Sequence, residues 1–136
     1  MELHIKRAYE PAGPKDGERY LVDRLWPRGV KKETLVLTGW LKDVAPSDAL
    51  RCWFGHDSAR WMEFRRRYGD ELKSQRKALQ PLGEALKRGP VTLVYSAHDE
   101  AHNQAVVLRE YLLETKSSSR KTRRTGQRRG ATRSAL

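Results

Sequence analysis

A chain of 136 residues, 38 % hydrophobic and 33 % charged, is the length of one domain and long enough to bury a core. It has no apolar run of transmembrane length and no positively charged start leading into a hydrophobic signal segment, so the expectation is a cytoplasmic protein with no membrane partner. Of the net charge of +11, eight charges fall between Lys116 and Arg133 with no acid among them, which leaves +3 for residues 1–115 and makes the body only mildly basic.

In chain order, "LHIKRAY" alternates Leu3 and Ile5 against His4 and Lys6, the period of a half-buried strand. "EPAGPKDGE" is a loop by its Pro, Gly and charge. A second short strand is expected at about Tyr20–Asp23 and a possible third in "TLVLTGW". Ser47 is placed to N-cap a helix "DALRCWF" that Gly55 ends. Asp57 can cap the next, where Trp61, Phe64, Tyr68 and Leu72 follow at spacings of three, four and four, a core-facing stripe rather than a ligand box. Pro81 suits the first turn of "PLGEALKR", which Gly89 closes. "PVTLVYSA" is a β-branched run, and its continuous apolarity points to burial on both faces, as in a parallel sheet. Asp99 can cap a last helix carrying Ala105, Leu108 and Leu112 on one face. Strands alternating with helices give an α/β class: a small layered domain with a mainly parallel central sheet flanked by helices.

Residues 116–136 are rich in Ser, Thr, Gly and Arg and nearly empty of apolar side chains until Ala135 and Leu136. Such a segment buries too little surface to offset the entropy of ordering, so a disordered basic C-terminal tail is expected. It reads either as a nucleic-acid tether, each Lys or Arg at a phosphate releasing a counterion, or as a solubilising extension.

Three places can carry chemistry. His98 and His102, four apart beside Asp99 and Glu100, resemble half of a zinc site, but the glutamate of H-E-x-x-H belongs directly after the first histidine and Asp99 stands there. His98 also follows a strand end, in the turn before the helix. No metal is expected. Cys52 and His56 are four apart too, yet Gly55 breaks the helix between them, and a half-buried structural cysteine is the expectation. A single cysteine allows no internal disulfide, in keeping with a reducing compartment.

"LVDRLWPRGV" is the more informative stretch. Arg24 and Arg28 flank a rigid Trp26–Pro27 step, a plausible clamp for phosphate or carboxylate. Ligands of open parallel sheets bind outside the carboxyl ends of the strands. If the Tyr20 and Val91 strands are parallel, Asp23–Gly29 and Tyr95–Asn103 meet at one edge. The site expectation is therefore Asp23 and Asp99 as acid or base, with Arg24, Trp26, Arg28, Ser96 and Asn103 binding the ligand. No G-x-G-x-x-G, P-loop, G-x-S-x-G, helix-turn-helix or zinc-finger pattern is present, no cofactor is expected, and whether the chain is an enzyme stays open.

"DGERYLVDRLWPRGVKKETL", "WLKDVAPSDALRCWFGHD", "FRRRY" and "VTLVYSAHDEAHNQAVVL" together resemble the YeaO-like family, domain of unknown function 488, in order from about His4 to Leu113. The resemblance implies a small α/β protein of the kind found in bacteria and archaea, with a domain at 1–115 and the tail at 116–136 outside the family pattern. It also implies that the family commonly carries Lys at the His98 position and another residue at the Cys52 position. Neither a metal nor a thiol nucleophile would then be general, because a lysine ammonium has no lone pair to offer. Two functions follow as expectations: a domain that binds a small anionic or nucleotide-like ligand at the strand ends, either only holding it or also acting on it, or a nucleic-acid-associated protein tethered by residues 116–136.

Overall fold

The computed structural model of the protein describes residues 2–115. Four strands, β1 (Leu3–Arg7), β2 (Glu18–Leu21), β3 (Gly39–Trp40) and β4 (Val91–Tyr95), form one sheet in the order β1-β4-β2-β3. Every pairing is parallel. The helices are α1 (Lys32–Leu35), α2 (Asp48–Phe54), α3 (Trp61–Lys73), α4 (Arg76–Arg88) and α5 (104–115). The α/β class with a parallel central sheet is therefore what the chain adopts. The expected disorder of 116–136 lies outside the described residues.

Central position explains the composition of β4. All five of its residues are buried, because β1 and β2 pair with its two edges and both of its faces are covered. Ile5, Leu93 and Tyr20 stand in one row across the sheet. They face the larger core, where Phe64, Tyr68 and Leu72 of α3, Leu82 and Leu86 of α4 and Leu108 and Leu112 of α5 pack. Leu21 and Val94 project the other way, onto Ala8 and Leu35, with Trp26, Val30, Leu37 and Trp40 around them.

That second face also buries charge. Arg19 is 3 % exposed. Its guanidinium donates to Asp16 at 2.6 Å and to the Leu35 carbonyl at 2.9 Å, while Lys6 donates to the same Asp16 carboxylate at 3.0 Å. Burial pushes the Asp16 carboxyl up, but hydrogen bonds from the Gly13 N–H, Lys6 and Arg19 outweigh it and hold the group below its ordinary value. Next to it, Gly17 has φ +69°, and a Cβ there would lie 2.0 Å from the Pro90 carbonyl oxygen. Only glycine fits where β2 approaches the turn into β4.

Four local expectations shift. β2 begins two residues early, at Glu18, and ends at Leu21. The third strand shrinks to Gly39–Trp40, because Thr34 and Leu35 belong to α1, whose carbonyls Arg19 holds. α4 begins at Arg76, with Pro81 inside it. Buried Leu79, Leu82 and Leu86 extend the apolar stripe across Pro81, and the Lys77 carbonyl that loses its donor lies on the exposed face, where water can serve it. Cys52 is exposed on α2 rather than half-buried. Ser47 caps α2 as expected, accepting from the Leu50 N–H at 3.2 Å, and its own N–H and hydroxyl donate to Glu71 of α3. Asp57 accepts from the Ala59 N–H at the short 3-10 turn Ser58–Arg60 that leads into α3.

Candidate functional site

Because all strands run the same way, the segments after β1, β2, β3 and β4 gather at one edge. They enclose a cleft of about 630 Å³ whose walls include Tyr9, Asp23–Arg28, Ala45, Pro46, Ser96–Asp99, Asn103 and Gln104. All seven expected site residues line it. Arg51 and Phe54 of α2, His56 and Phe64 complete the wall.

Asp23 forms the floor. It is 8 % exposed. One carboxylate oxygen accepts the Ser96 N–H at 3.0 Å and the Ser96 hydroxyl at 2.5 Å, and the other accepts the Gln104 side-chain amide. Its backbone carbonyl takes the Trp40 indole N–H at 2.7 Å. Burial raises the Asp23 pKa, and the Ser96 and Gln104 donors, with His56 nearby, pull only part of the way back. Ser96 and Asp23 are thus one unit that ties the end of β4 to the end of β2.

The loop 24–29 is held at several points. Pro27 is buried, Gly29 turns the chain at φ +76°, and the Trp26 indole donates to the Val30 carbonyl at 2.7 Å while its ring meets Trp40 edge-on at 5.4 Å. Arg24 reaches back to the Pro46 and Ala45 carbonyls at 3.2 and 3.3 Å. Arg28 differs. It is exposed, its backbone carbonyl is held by the Tyr9 hydroxyl at 3.0 Å, and its guanidinium forms no hydrogen bond or ion pair among the described residues.

On the β4 side, Asp99 accepts the N–H groups of Ala101 and His102, both at 3.0 Å, and the His102 ring at 2.9 Å. The His102 hydrogen bond, then the Ala101 N–H, hold its carboxyl below the ordinary value. The residue that caps α5 is Asn103, not Asp99. Its carbonyl oxygen accepts the Val106 N–H at 3.1 Å, its amide donates to the Asp99 carbonyl at 2.8 Å, and it is 1 % exposed. Asp99 closes the turn before the helix instead. His98 borders the cleft, whereas His102 lies edge-on to Trp61 at 5.0 Å. Among the described residues, no three His, Cys, Asp or Glu side chains group as a metal site would need.

Tyr9, Arg51, His56 and Gln104 are cleft residues that the sequence patterns passed over. For His56 there is a signal: Gly55 and His56 both adopt left-handed backbone, at φ +52° and +57°, so the chain doubles back after α2 and returns His56 to the cleft. "FGHD" contains the glycine but not the second turn residue's destination. Gln104 is the first residue of α5 and Tyr9 lies in the turn after β1, so the position of each depends on the path of the preceding loop or turn, which has no sequence period.

Known proteins bear on this arrangement. The family description "Inactive DUF488-N3 subclade" matches residues 2–129, running past residue 115, where the domain was expected to stop. "Uncharacterized protein YeaO" of Escherichia coli is 42 % identical over 112 residues, 82 % of this chain and 97 % of its own length. "Uncharacterized protein Rv3073c" of Mycobacterium tuberculosis and "Uncharacterized protein Mb3100c" of Mycobacterium bovis are each 41 % identical over 110 residues, 81 % of this chain and 92 % of theirs. No solved structure matches.

Proposed function

The chain belongs to the YeaO-like DUF488 family, and from that membership and the cleft at its strand ends we propose that it binds a small anionic ligand there. The observation that carries the reading is Arg28, a guanidinium at a pocket wall whose backbone is fixed and whose donors have no partner among the described residues. A planar fork of that kind suits phosphate or carboxylate. Arg51 adds a second cation from α2, and Arg24 a third with part of its donor set already used.

The reading is one of binding without chemistry. Both Asp23 oxygens are engaged by Ser96 and Gln104, and both Asp99 oxygens by its own turn, so each carboxylate holds together the segments that carry it. In this proposal Asp23, Ser96, Asp99 and Asn103 shape the pocket, and Trp26 stiffens the loop that presents Arg28. The word "inactive" in the description of the matched subclade is in keeping with that.

A thermal-shift series on the full chain tests it, with phosphate, pyrophosphate and phosphorylated metabolites as probes and Arg28→Ala alongside. A ligand of the native state raises the melting temperature by mass action. A rise lost in Arg28→Ala supports the cleft, and an equal rise in both proteins rejects it. The eight uncompensated cations of 116–136 favour a second reading, nucleic-acid association. That reading needs RNA binding that falls steeply with salt and disappears in a chain ending at residue 115.

A further inference from the structure

We infer that the ligand of this cleft joins a planar ring to its anionic group, a nucleoside monophosphate being the class that fits, and that Tyr9 is the residue that selects the ring. This rests on the anion-binding reading above and narrows it.

The wall of the cleft is not built for a bare anion. Beside the cations stand Leu25, Pro27 and Phe54, with Tyr9 at the edge. Tyr9 is 49 % exposed and Leu25 62 % exposed, two large side chains left in solvent in the same wall as Arg28. Isolated exposed apolar residues are ordinary, but these border the same opening as a guanidinium with no partner among the described residues. A volume of about 630 Å³ is that of a small-molecule site, and an inorganic ion would leave most of it to water.

Tyr9 is held ready for a ring. Its hydroxyl is fixed on the Arg28 carbonyl at 3.0 Å, and the Arg7 guanidinium covers the ring at 4.9 Å from the centroid. Arg7 is itself anchored to the Ala97 carbonyl at 2.8 Å, so the aromatic plane is positioned from both ends. The same hydrogen bond places the aromatic plane beside the backbone that carries Arg28. Tyr9 and Leu25 line the same cleft as Arg28, so a group attached to a phosphate held there has an aromatic and an aliphatic surface within the same wall. A flat base uses that surface, and an inorganic anion cannot.

The test is calorimetric titration of the full chain with adenosine 5′-monophosphate, adenosine and inorganic phosphate, repeated in Tyr9→Ala, Tyr9→Phe and Arg28→Ala. Ring stacking predicts that the monophosphate binds about tenfold or more tightly than phosphate. The basic segment 116–136 attracts both anions, so the ratio of the two affinities isolates the ring. Tyr9→Ala should bring that ratio close to one, Tyr9→Phe should keep it, and Arg28→Ala should weaken both anions. Phosphate binding that depends on Arg28 but equals the monophosphate, or a ratio unchanged in Tyr9→Ala, overturns this inference and leaves the anion reading standing. Binding of neither anion in an Arg28-dependent way overturns both.

Discussion

Asp23 and Ser96 lie 73 residues apart in sequence, and Ser96 gives both its backbone N–H and its hydroxyl to a single carboxylate oxygen of Asp23. That pair, with Gln104 on the other oxygen, joins the ends of β2 and β4 and the start of α5. The cleft exists because these three elements are held together at one point. Asp23→Ala leaves two part-buried donors of Ser96 and one of Gln104 without this acceptor. Hydrogen bonds to a charged group are worth about 1.5–3 kcal/mol each net, and their losses overlap, so a destabilisation of about 3 kcal/mol is expected in urea melts.

The same carboxylate should carry a pH signature of defined sign. Its folded pKa is raised above the ordinary 3.8, chiefly by burial. A raised folded value means the native state binds the proton more readily than the unfolded chain, so the wild type gains stability as the pH falls through that raised value towards 3.8 and below. Asp23→Asn has no such group. The stability of wild type minus that of Asp23→Asn should therefore move in favour of wild type between pH 7 and pH 4. A difference that stays flat, or moves the other way, would show that burial does not dominate at Asp23.

How much of this is legible in the sequence depends on whether local pattern or chain path decides. "PVTLVYSA" announces a buried parallel strand because continuous apolarity is what two covered faces require, and β4 is that strand. The Trp61, Phe64, Tyr68 and Leu72 stripe likewise follows from the helical period. "TLVLTGW" misleads because β propensity there yields to Arg19, which takes the Leu35 and Val36 carbonyls into a buried network. The meeting of Asp23 with Ser96 follows from parallel topology and can be anticipated. Their hydrogen bond, and the hidden capping role of Asn103, belong to turn geometry that a residue pattern does not encode. Tyr9 and Arg51 come from segments with their own local explanations, a loop and a capped helix, and only the closed structure turns them towards the cleft.

The opposite pH behaviour belongs to Asp16. Its folded pKa is lowered from 3.8 despite burial, by the Gly13 N–H, Lys6 and Arg19. Its contribution is therefore fully present above about pH 4 and is lost as the pH falls through the lowered folded value. Asp16→Asn strands the Arg19 guanidinium, 3 % exposed, beside a neutral amide. Breaking a buried pair in this way costs about 3–5 kcal/mol. Denaturation at pH 7 should show that loss, and the gap to wild type should narrow at lower pH as the wild-type carboxylate itself protonates.

Two backbone positions should respond in opposite directions. Val36 has φ +50°, a left-handed conformation that a β-branched side chain adopts at a cost, and it is 58 % exposed, so little packing offsets the strain. Val36→Gly should raise stability by about 1 kcal/mol, read as a higher urea midpoint with unchanged slope. At Gly17, with φ +69°, a methyl group would meet the Pro90 carbonyl at 2.0 Å. Gly17→Ala should destabilise by about 2 kcal/mol or more, because the neighbour is backbone and cannot rotate away.

Arg24 and Arg28 separate what holds the cleft from what serves a ligand. Arg24 is tied to the Pro46 and Ala45 carbonyls and lies 3.7 Å from the Asp48 carboxylate, so it joins the end of β2 to the segment that leads into α2. Removing it frees two carbonyls and loosens the wall, and Arg24→Ala should lower stability by about 1–2 kcal/mol together with any anion affinity. Arg28 holds nothing through its guanidinium among the described residues, and only its backbone is bound, by Tyr9. Arg28→Ala should leave the urea midpoint within about 0.5 kcal/mol of wild type while anion affinity falls about tenfold or more. Parallel measurement of stability and phosphate affinity in the two variants distinguishes these roles. If Arg28→Ala unfolds the chain as readily as Arg24→Ala does, the side chain is structural and the anion site must be sought elsewhere on the cleft wall.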